Sequence, residues 1–100
     1  MTSPLAVLGL CIQGRVQGAG FRDWTATAAG AHCLTGWVRN LCEGSVEALL
    51  VGAPLAVAAM RAACESGPAL ARVDTVDEAE APGDAETASL SDGFHILETV

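Results

Sequence analysis

Glycine and proline residues divide this chain into short segments, which limits it to short helices and strands. The apolar stretch 5–13 stops before Gly14 and predicts a buried strand. Pro54 opens a helical segment that Gly67 and Pro68 close. Read along the chain, these signals predict strands at 5–13, 34–40, 45–52, 72–81 and 93–100, helices at 21–32 and 54–66, and an acidic loop at 82–92.

The spacing of apolar residues predicts which face of each helix is buried, because residues three or four apart share one side of a helix. In the first helix this face comprises Phe21, Trp24, Ala28 and Ala31. In the second helix it comprises Val57, Met60 and Cys64. We therefore expect both helices to pack on a sheet through one apolar side.

The order of the elements predicts the fold class. A strand, a helix, two strands, a helix and a strand form the split arrangement of an α+β, ferredoxin-like βαββαβ sandwich. It has an antiparallel sheet with two helices on one face, and here a short C-terminal strand follows. The length of 100 residues corresponds to one domain, residues 1–100.

The charge balance argues against two classes of partner. The formal net charge is −7 and lysine is absent, so the overall field repels nucleic acid and anionic membrane surfaces. The apolar stretch 48–60 is interrupted by Gly52 and Pro54 and is shorter than the ~20 residues of a membrane-spanning helix. We expect neither nucleic acid nor membrane as a partner.

The cysteines and histidines indicate neither a metal nor a cofactor. The four cysteines form no Cys-x-x-Cys pair, and His32 and His95 lack partners at ligand spacing. The start of the chain has no basic residues of the kind that open a signal peptide. We therefore expect reduced thiols in a cytoplasmic protein that uses no cofactor.

A glycine-rich segment at 14–20 is the first candidate site. Its glycines allow a tight turn that points successive backbone N–H groups inward, which favours an anion. The N-terminus of the following helix adds further N–H groups and partial positive charge. Arg22 lies in the first helical turn, and its planar guanidinium can hold two phosphate oxygens. A purely structural turn would explain the glycines alone about equally well.

Asn40 is the second candidate, at the end of a strand that enters a hairpin. Its carboxamide can accept a hydrogen bond from water and donate one to phosphate. Taken alone, it also fits a simple turn residue. The neighbouring Arg39 should point to the opposite face of the sheet, and Trp24 and Trp37 are expected in the core.

Together these segments resemble acylphosphatases. The resemblance covers nearly the whole chain and rests on Gly-Arg-Val-Gln-Gly-Ala-Gly-Phe-Arg at 14–22, Gly-Trp-Val-Arg-Asn at 36–40 and Gly-Ser-Val-Glu at 44–47. It implies a ferredoxin-like fold and metal-independent hydrolysis of small acyl phosphates to a carboxylate and inorganic phosphate.

The resemblance also implies roles for individual residues. Arg22 would grip the phosphate and Asn40 would position the attacking water, while the substrate's own phosphate takes the proton. The phosphate-binding backbone N–H groups would belong to Arg15, Val16, Gln17, Gly18, Ala19 and Gly20. We expect the protein to act as a monomer.

The chain departs from the family pattern around the first helix. Ala19 replaces a larger apolar residue, Gly30 lies inside the helix, and His32 occupies a usually apolar position. Cys33 stands where a glycine normally ends the helix. These departures affect the stability and placement of the helix more than Arg22 or Asn40.

Two alternatives remain open at the level of sequence. A non-catalytic anion-binding module would keep the glycine-rich segment without turnover. A nucleic-acid-binding module would share the strand order, but such modules stack bases on sheet aromatics. Aromatic residues make up only 4% of this chain, which disfavours the second alternative.

Overall fold

The computed structural model describes residues 5–18, 20–79 and 93–99 and confirms the predicted order of elements. The elements are β1 (Ala6–Arg15), α1 (Phe21–Ala31), β2 (Thr35–Asn40), β3 (Val46–Gly52), α2 (Pro54–Ser66), β4 (Arg72–Ala79) and β5 (Phe94–Ile96). The predicted loop at 82–92 lies outside the described residues. Neither α1 nor α2 combines the length and hydropathy that a bilayer-spanning helix requires.

The five strands form one sheet in the order β4-β1-β3-β2-β5. β3 pairs antiparallel with both β1 and β2, so β1 and β2 run in the same direction. β5 pairs parallel with β2. The carboxyl ends of β1, β2 and β5 therefore lie at one edge of the sheet.

The main core lies between the two helices and one face of the sheet. Alternate strand residues point into it, including Leu10, Ile12, Val38 and Leu50, all fully buried or nearly so. The predicted inner face of α2 is confirmed, because Val57, Met60 and Cys64 are its buried residues. Burial raises the pKa of the Cys64 thiol to about 12, against the opposing influence of the Arg61 charge, so this thiol stays protonated.

The predicted inner face of α1 is wrong in part. The buried residues are Phe21, Thr25 and Ala29, while Ala31 is exposed and Trp24 is only partly buried. A threonine can occupy this face because its hydroxyl Oγ1 donates a hydrogen bond of 2.7 Å to the Phe21 carbonyl. The polar group is thereby satisfied inside the helix itself.

The opposite face of the sheet carries a second, smaller apolar cluster centred on Trp37 and Leu49. The Arg39 guanidinium lies 4.6 Å from the centre of the Trp37 ring, and its Nε donates a 2.8 Å hydrogen bond to Glu47 Oε1. These contacts confirm the burial of Trp37 and the expectation that Arg39 faces away from the helix side, where Val38 lies.

Predicted boundaries are wrong at the end of β1, at the end of α1 and in the last strand. β1 continues through Gly14 to Arg15, because a register shift between Gln13 and Gly14 lets both residues keep pairing with β4. The connection to α1 is therefore residues 16–20, here called the glycine loop. α1 ends at Ala31 instead of residue 32. The predicted last strand, 93–100, is too long, because β5 comprises Phe94–Ile96 and the described residues 93 and 97–99 are not part of a strand.

Cys33 ends the turn after α1 in a left-handed conformation, with φ of 58°. The Leu34 N–H donates to the Ala29 carbonyl at 2.9 Å, which closes the helix end in the manner that usually places glycine here. The Cys33 side chain is exposed. The Cβ of Cys33 therefore strains the left-handed backbone, and the exposed side chain offers no burial to offset that strain.

The substitution Cys33→Gly should stabilise the fold. Removing the Cβ relieves roughly 1–2 kcal/mol of left-handed strain, of which about 0.5–1 kcal/mol is offset by the flexibility of glycine in the unfolded chain. We expect Tm to rise by a few degrees, as a change of ~1 kcal/mol gives a domain of this size.

Cys42 supplies the matched control, because it is exposed like Cys33 but has an ordinary negative φ. Cys42→Gly should leave Tm unchanged or lower it. Thermal unfolding followed by circular dichroism measures both variants. A lower Tm for Cys33→Gly would show that the Cys33 side chain contributes packing that outweighs the strain.

Candidate active site

One cleft opens at the sheet edge where the carboxyl ends of β1, β2 and β5 meet. It has a volume of about 260 Å³ and lies beneath the N-terminus of α1. Its lining residues are Val16, Gly18, Gly20, Phe21, Arg22, Asp23, Asn40 and Ile96. The strand directions thus bring residues far apart in sequence into one small space.

The glycine loop forms one wall of this cleft. Gly18 and Gly20 have φ of 78° and 75°, values that L side chains rarely adopt, so the loop needs glycine at both positions. Gly20 is also the N-cap of α1 and has no side chain with which to bond the first helical N–H groups. Those N–H groups, with the positive end of the helix dipole, favour an anion at this point.

Arg22 lies in the first turn of α1, is half-buried and lines the cleft. Arg39, Arg61 and Arg72 each pair with acidic side chains, whereas none of the ion pairs between described residues includes Arg22. Its guanidinium is thus available to an anionic ligand in the cleft.

Asn40 is the last residue of β2 and lies across the cleft from the loop. The residue is buried, at 9% exposure, and its backbone pairs with Val46. Among the hydrogen bonds between described residues, none involves the Asn40 carboxamide. A fixed, unpaired carboxamide facing a polar cleft can hold a water molecule.

Of the remaining predicted loop residues, Arg15 and Gln17 fall outside the cleft lining, whereas Val16 belongs to it. Arg15 is exposed at the end of β1, where its backbone lies opposite that of Arg72 in the β1–β4 ladder. The Gln17 side chain instead bonds the carbonyl oxygens of Leu41 and Ser45, at 2.7 and 2.9 Å. Ala19 lies outside the described residues. Val16 is 1% exposed and anchors the loop in the core.

Asp23 and Ile96 are lining residues that the sequence reasoning did not identify. Asp23 follows Arg22 in the first helical turn, so its position next to a candidate residue was the available signal. Ile96 reaches the cleft because β5 runs parallel to β2, a direction that the sequence pattern does not specify.

The cleft has few groups that could exchange a proton or bind a metal. Its titratable lining side chains are Arg22 and Asp23, and Asp23 is exposed. Within 5–18, 20–79 and 93–99, no group of three or more histidine, cysteine, aspartate or glutamate side chains is placed to hold a metal ion. The arrangement is suited to binding an anion and orienting water.

The family model and the curated relatives name the same family. The sequence model of the family described as acylphosphatase matches residues 8–96. The chain is 48% identical over 93 residues to the acylphosphatase of Azorhizobium caulinodans, covering 93% of this chain and 96% of the relative. It is 47% identical over 96 residues to that of Bradyrhizobium diazoefficiens, covering 95% and 97%. The crystal structure of acylphosphatase from Bacillus subtilis superposes with a TM-score of 0.78 at 30% identity, covering 94% of this chain and 99% of that one.

Proposed function

The chain belongs to the acylphosphatase family, hydrolases that release phosphate from small acyl phosphates, and on that premise we propose which of its residues perform the reaction. We propose that Arg22 and the N–H groups of the glycine loop bind the phosphoryl group and that Asn40 positions the attacking water. The observation that carries this proposal is that Arg22, Gly18, Gly20 and Asn40 line one cleft.

Binding of the phosphoryl group rests on short-range hydrogen bonds. Arg22 offers a charged, two-pronged donor, and the loop and helix start offer N–H groups that lack a side-chain cap. These donors would hold the equatorial oxygens, whose charge the transition state redistributes. We propose no contact for the Arg15 side chain, which is exposed and absent from the cleft lining.

The chemical step is an in-line displacement at phosphorus. A water oxygen held by the Asn40 carboxamide forms a new P–O bond while the bond between phosphorus and the acyl oxygen breaks. The bonding electrons leave with the carboxylate, and the water proton passes to an oxygen of the substrate's own phosphate. The products are a carboxylate and inorganic phosphate, and no covalent enzyme intermediate is formed.

The same cleft restricts the leaving group. A carboxylate departs without protonation, whereas an alkoxide needs an acid to protonate it. The described lining residues include no histidine, lysine or tyrosine for that purpose, and the Asp23 carboxylate is exposed. We therefore propose hydrolysis of acyl phosphates without appreciable hydrolysis of alkyl phosphate monoesters.

We further propose that the protein works as a single-domain monomer in the cytoplasm and needs no metal. The proposal of a monomer is supported by the fact that one chain supplies a cleft with Arg22, Asn40 and the glycine loop. Cys11, Cys33, Cys42 and Cys64 are free thiols, the state typical of a reducing compartment. Arg22 and the backbone donors supply positive charge that a metal ion would otherwise provide.

The first prediction of the proposed function concerns substrate range and metal dependence. The purified protein should hydrolyse benzoyl phosphate and acetyl phosphate, and turnover should persist after dialysis against a chelator. Glycerol phosphate should be hydrolysed at a rate indistinguishable from the uncatalysed one. Phosphate release measures all three. Loss of turnover in chelator, or comparable turnover of glycerol phosphate, would contradict the proposed chemistry.

The second prediction separates two contributions of Arg22 to phosphate binding: its positive charge and the two-pronged contact of its guanidinium. Arg22→Lys keeps the charge but loses the two-pronged contact, so KM and the inhibition constant of inorganic phosphate should rise together by roughly tenfold or more. Arg72→Lys is the matched control, because the Arg72 side chain is 83% exposed outside the cleft. Normal phosphate inhibition in Arg22→Lys would remove Arg22 from the binding role.

The third prediction concerns attack by water. Asn40→Ala should reduce kcat by something like 10²–10³-fold, the scale for losing one preorganised polar group. Inhibition by inorganic phosphate should change far less, because the donors of the loop and Arg22 remain. Steady-state kinetics on the folded variant, checked by circular dichroism, provides both values. Near-normal kcat would show that another group positions the water.

A further inference from the structure

The Gln17 side chain joins the glycine loop to the turn that follows Asn40. Its amide nitrogen donates to the Leu41 carbonyl at 2.7 Å and to the Ser45 carbonyl at 2.9 Å, across 24 and 28 residues of sequence. Since both partners are carbonyl oxygens, the group that faces them must be the NH₂ end of the amide. Both hydrogens of one nitrogen are therefore used.

The two acceptors bracket the hairpin turn, residues 41–45, which joins β2 to β3. Leu41 directly follows Asn40, and Ser45 precedes Val46, the residue that pairs with Asn40. The turn is already closed on itself, because the Leu41 N–H donates to the Ser45 carbonyl at 2.9 Å and the Gly44 N–H to the Leu41 carbonyl at 3.0 Å. Gln17 bonds the free lone pairs of the same two oxygens.

Gln17 thus connects the two halves of the cleft. On its loop side it lies between Val16, which is held in the core, and Gly18, which lines the cleft. On its turn side it fixes the backbone next to Asn40. The described residues of the glycine loop make no other side-chain hydrogen bond to the hairpin turn.

We propose that Gln17 is a positioning residue that sets the separation between the phosphate-binding loop and the water held at Asn40. The Gln17 side chain is absent from the lining of the cleft and acts through the backbone on both sides of it. This inference rests on the proposed function, because the separation matters only if the two sides act on one substrate. Misplacement of reacting groups by about 1 Å is enough to slow a reaction by ~10²-fold.

Gln17→Met tests the link directly, because methionine has similar length and no donor. We expect kcat for benzoyl phosphate to fall by roughly 10- to 100-fold, while the phosphate inhibition constant changes by less than about threefold. Calorimetric titration with inorganic phosphate gives an activity-independent check on the loop. Unchanged kcat with a lowered Tm would reduce Gln17 to a structural role and overturn the proposal.

Gln17→Glu gives a second test, in which one variant is followed across pH, so that a constant difference in stability from the wild type does not decide the result. The ionised carboxylate faces two carbonyl oxygens and repels both, whereas the protonated form can donate to one of them. The ratio of variant kcat to wild-type kcat should therefore rise as pH falls from about 8 to about 5, as this carboxyl takes up its proton. A flat ratio over this range would overturn the proposal.

Gln13 provides the matched control. It is an exposed glutamine on β1, it is absent from the lining of the active-site cleft, and its side chain makes no hydrogen bond with described residues. Gln13→Met should keep wild-type kcat, and Gln13→Glu should show a flat ratio across pH. If wild-type protein itself fails to hydrolyse acyl phosphates, the proposed function falls and this inference with it. Wild-type turnover with unaffected Gln17 variants overturns this inference alone.

Discussion

The site depends on β3, which lies between β1 and β2 and pairs antiparallel with each. That pairing makes β1 and β2 parallel, and their carboxyl ends consequently face the same edge of the sheet. The glycine loop leaves one end and Asn40 terminates the other. Because the register of both ladders is set by apolar residues such as Ile12 and Val46, a slip of one residue would turn Asn40 to the opposite face. The geometry of the cleft is therefore a consequence of core packing.

Local backbone conformation then decides what the edge can bind. The left-handed Gly18 and Gly20 turn the chain within a few residues and leave the first N–H groups of α1 uncapped. Uncapped donors lower the stability of a helix end, so the start of α1 is less stable without an anion than with one. At the other end of α1, the left-handed residue is Cys33 instead of a glycine, and it is absent from the cleft lining. Glycine allows the left-handed conformation at the cleft without strain, whereas Cys33 adopts it as a strained residue outside the cleft lining.

Sequence reasoning predicted the element order and the two helices on one sheet face from short-range signals and the order of segments. The joint role of Arg22 and Asn40 at one site was implied by the resemblance to acylphosphatases. Sequence reasoning could not predict features that depend on contacts between distant residues. Gly14 reads as a strand terminator, yet the bulge against β4 keeps it in the sheet. Thr25 reads as polar, yet its bond to its own helix backbone allows burial. The parallel direction of β5 and the partners of Gln17 likewise arise only when the chain is folded.

The charge distribution shows how an acidic protein can hold an anion. A net charge of −7 disfavours the approach of a phosphate group at long range, an effect that salt screens over roughly 10 Å at about 0.1 M. Attraction must therefore come from donors at hydrogen-bond distance. Arg39 and Arg61 are held by acidic partners on other surfaces, while the ion pairs of the described residues leave Arg22 out. Backbone N–H groups add attraction without adding net charge, so the affinity of the cleft is set by its local geometry and only weakly by the charge of the chain as a whole.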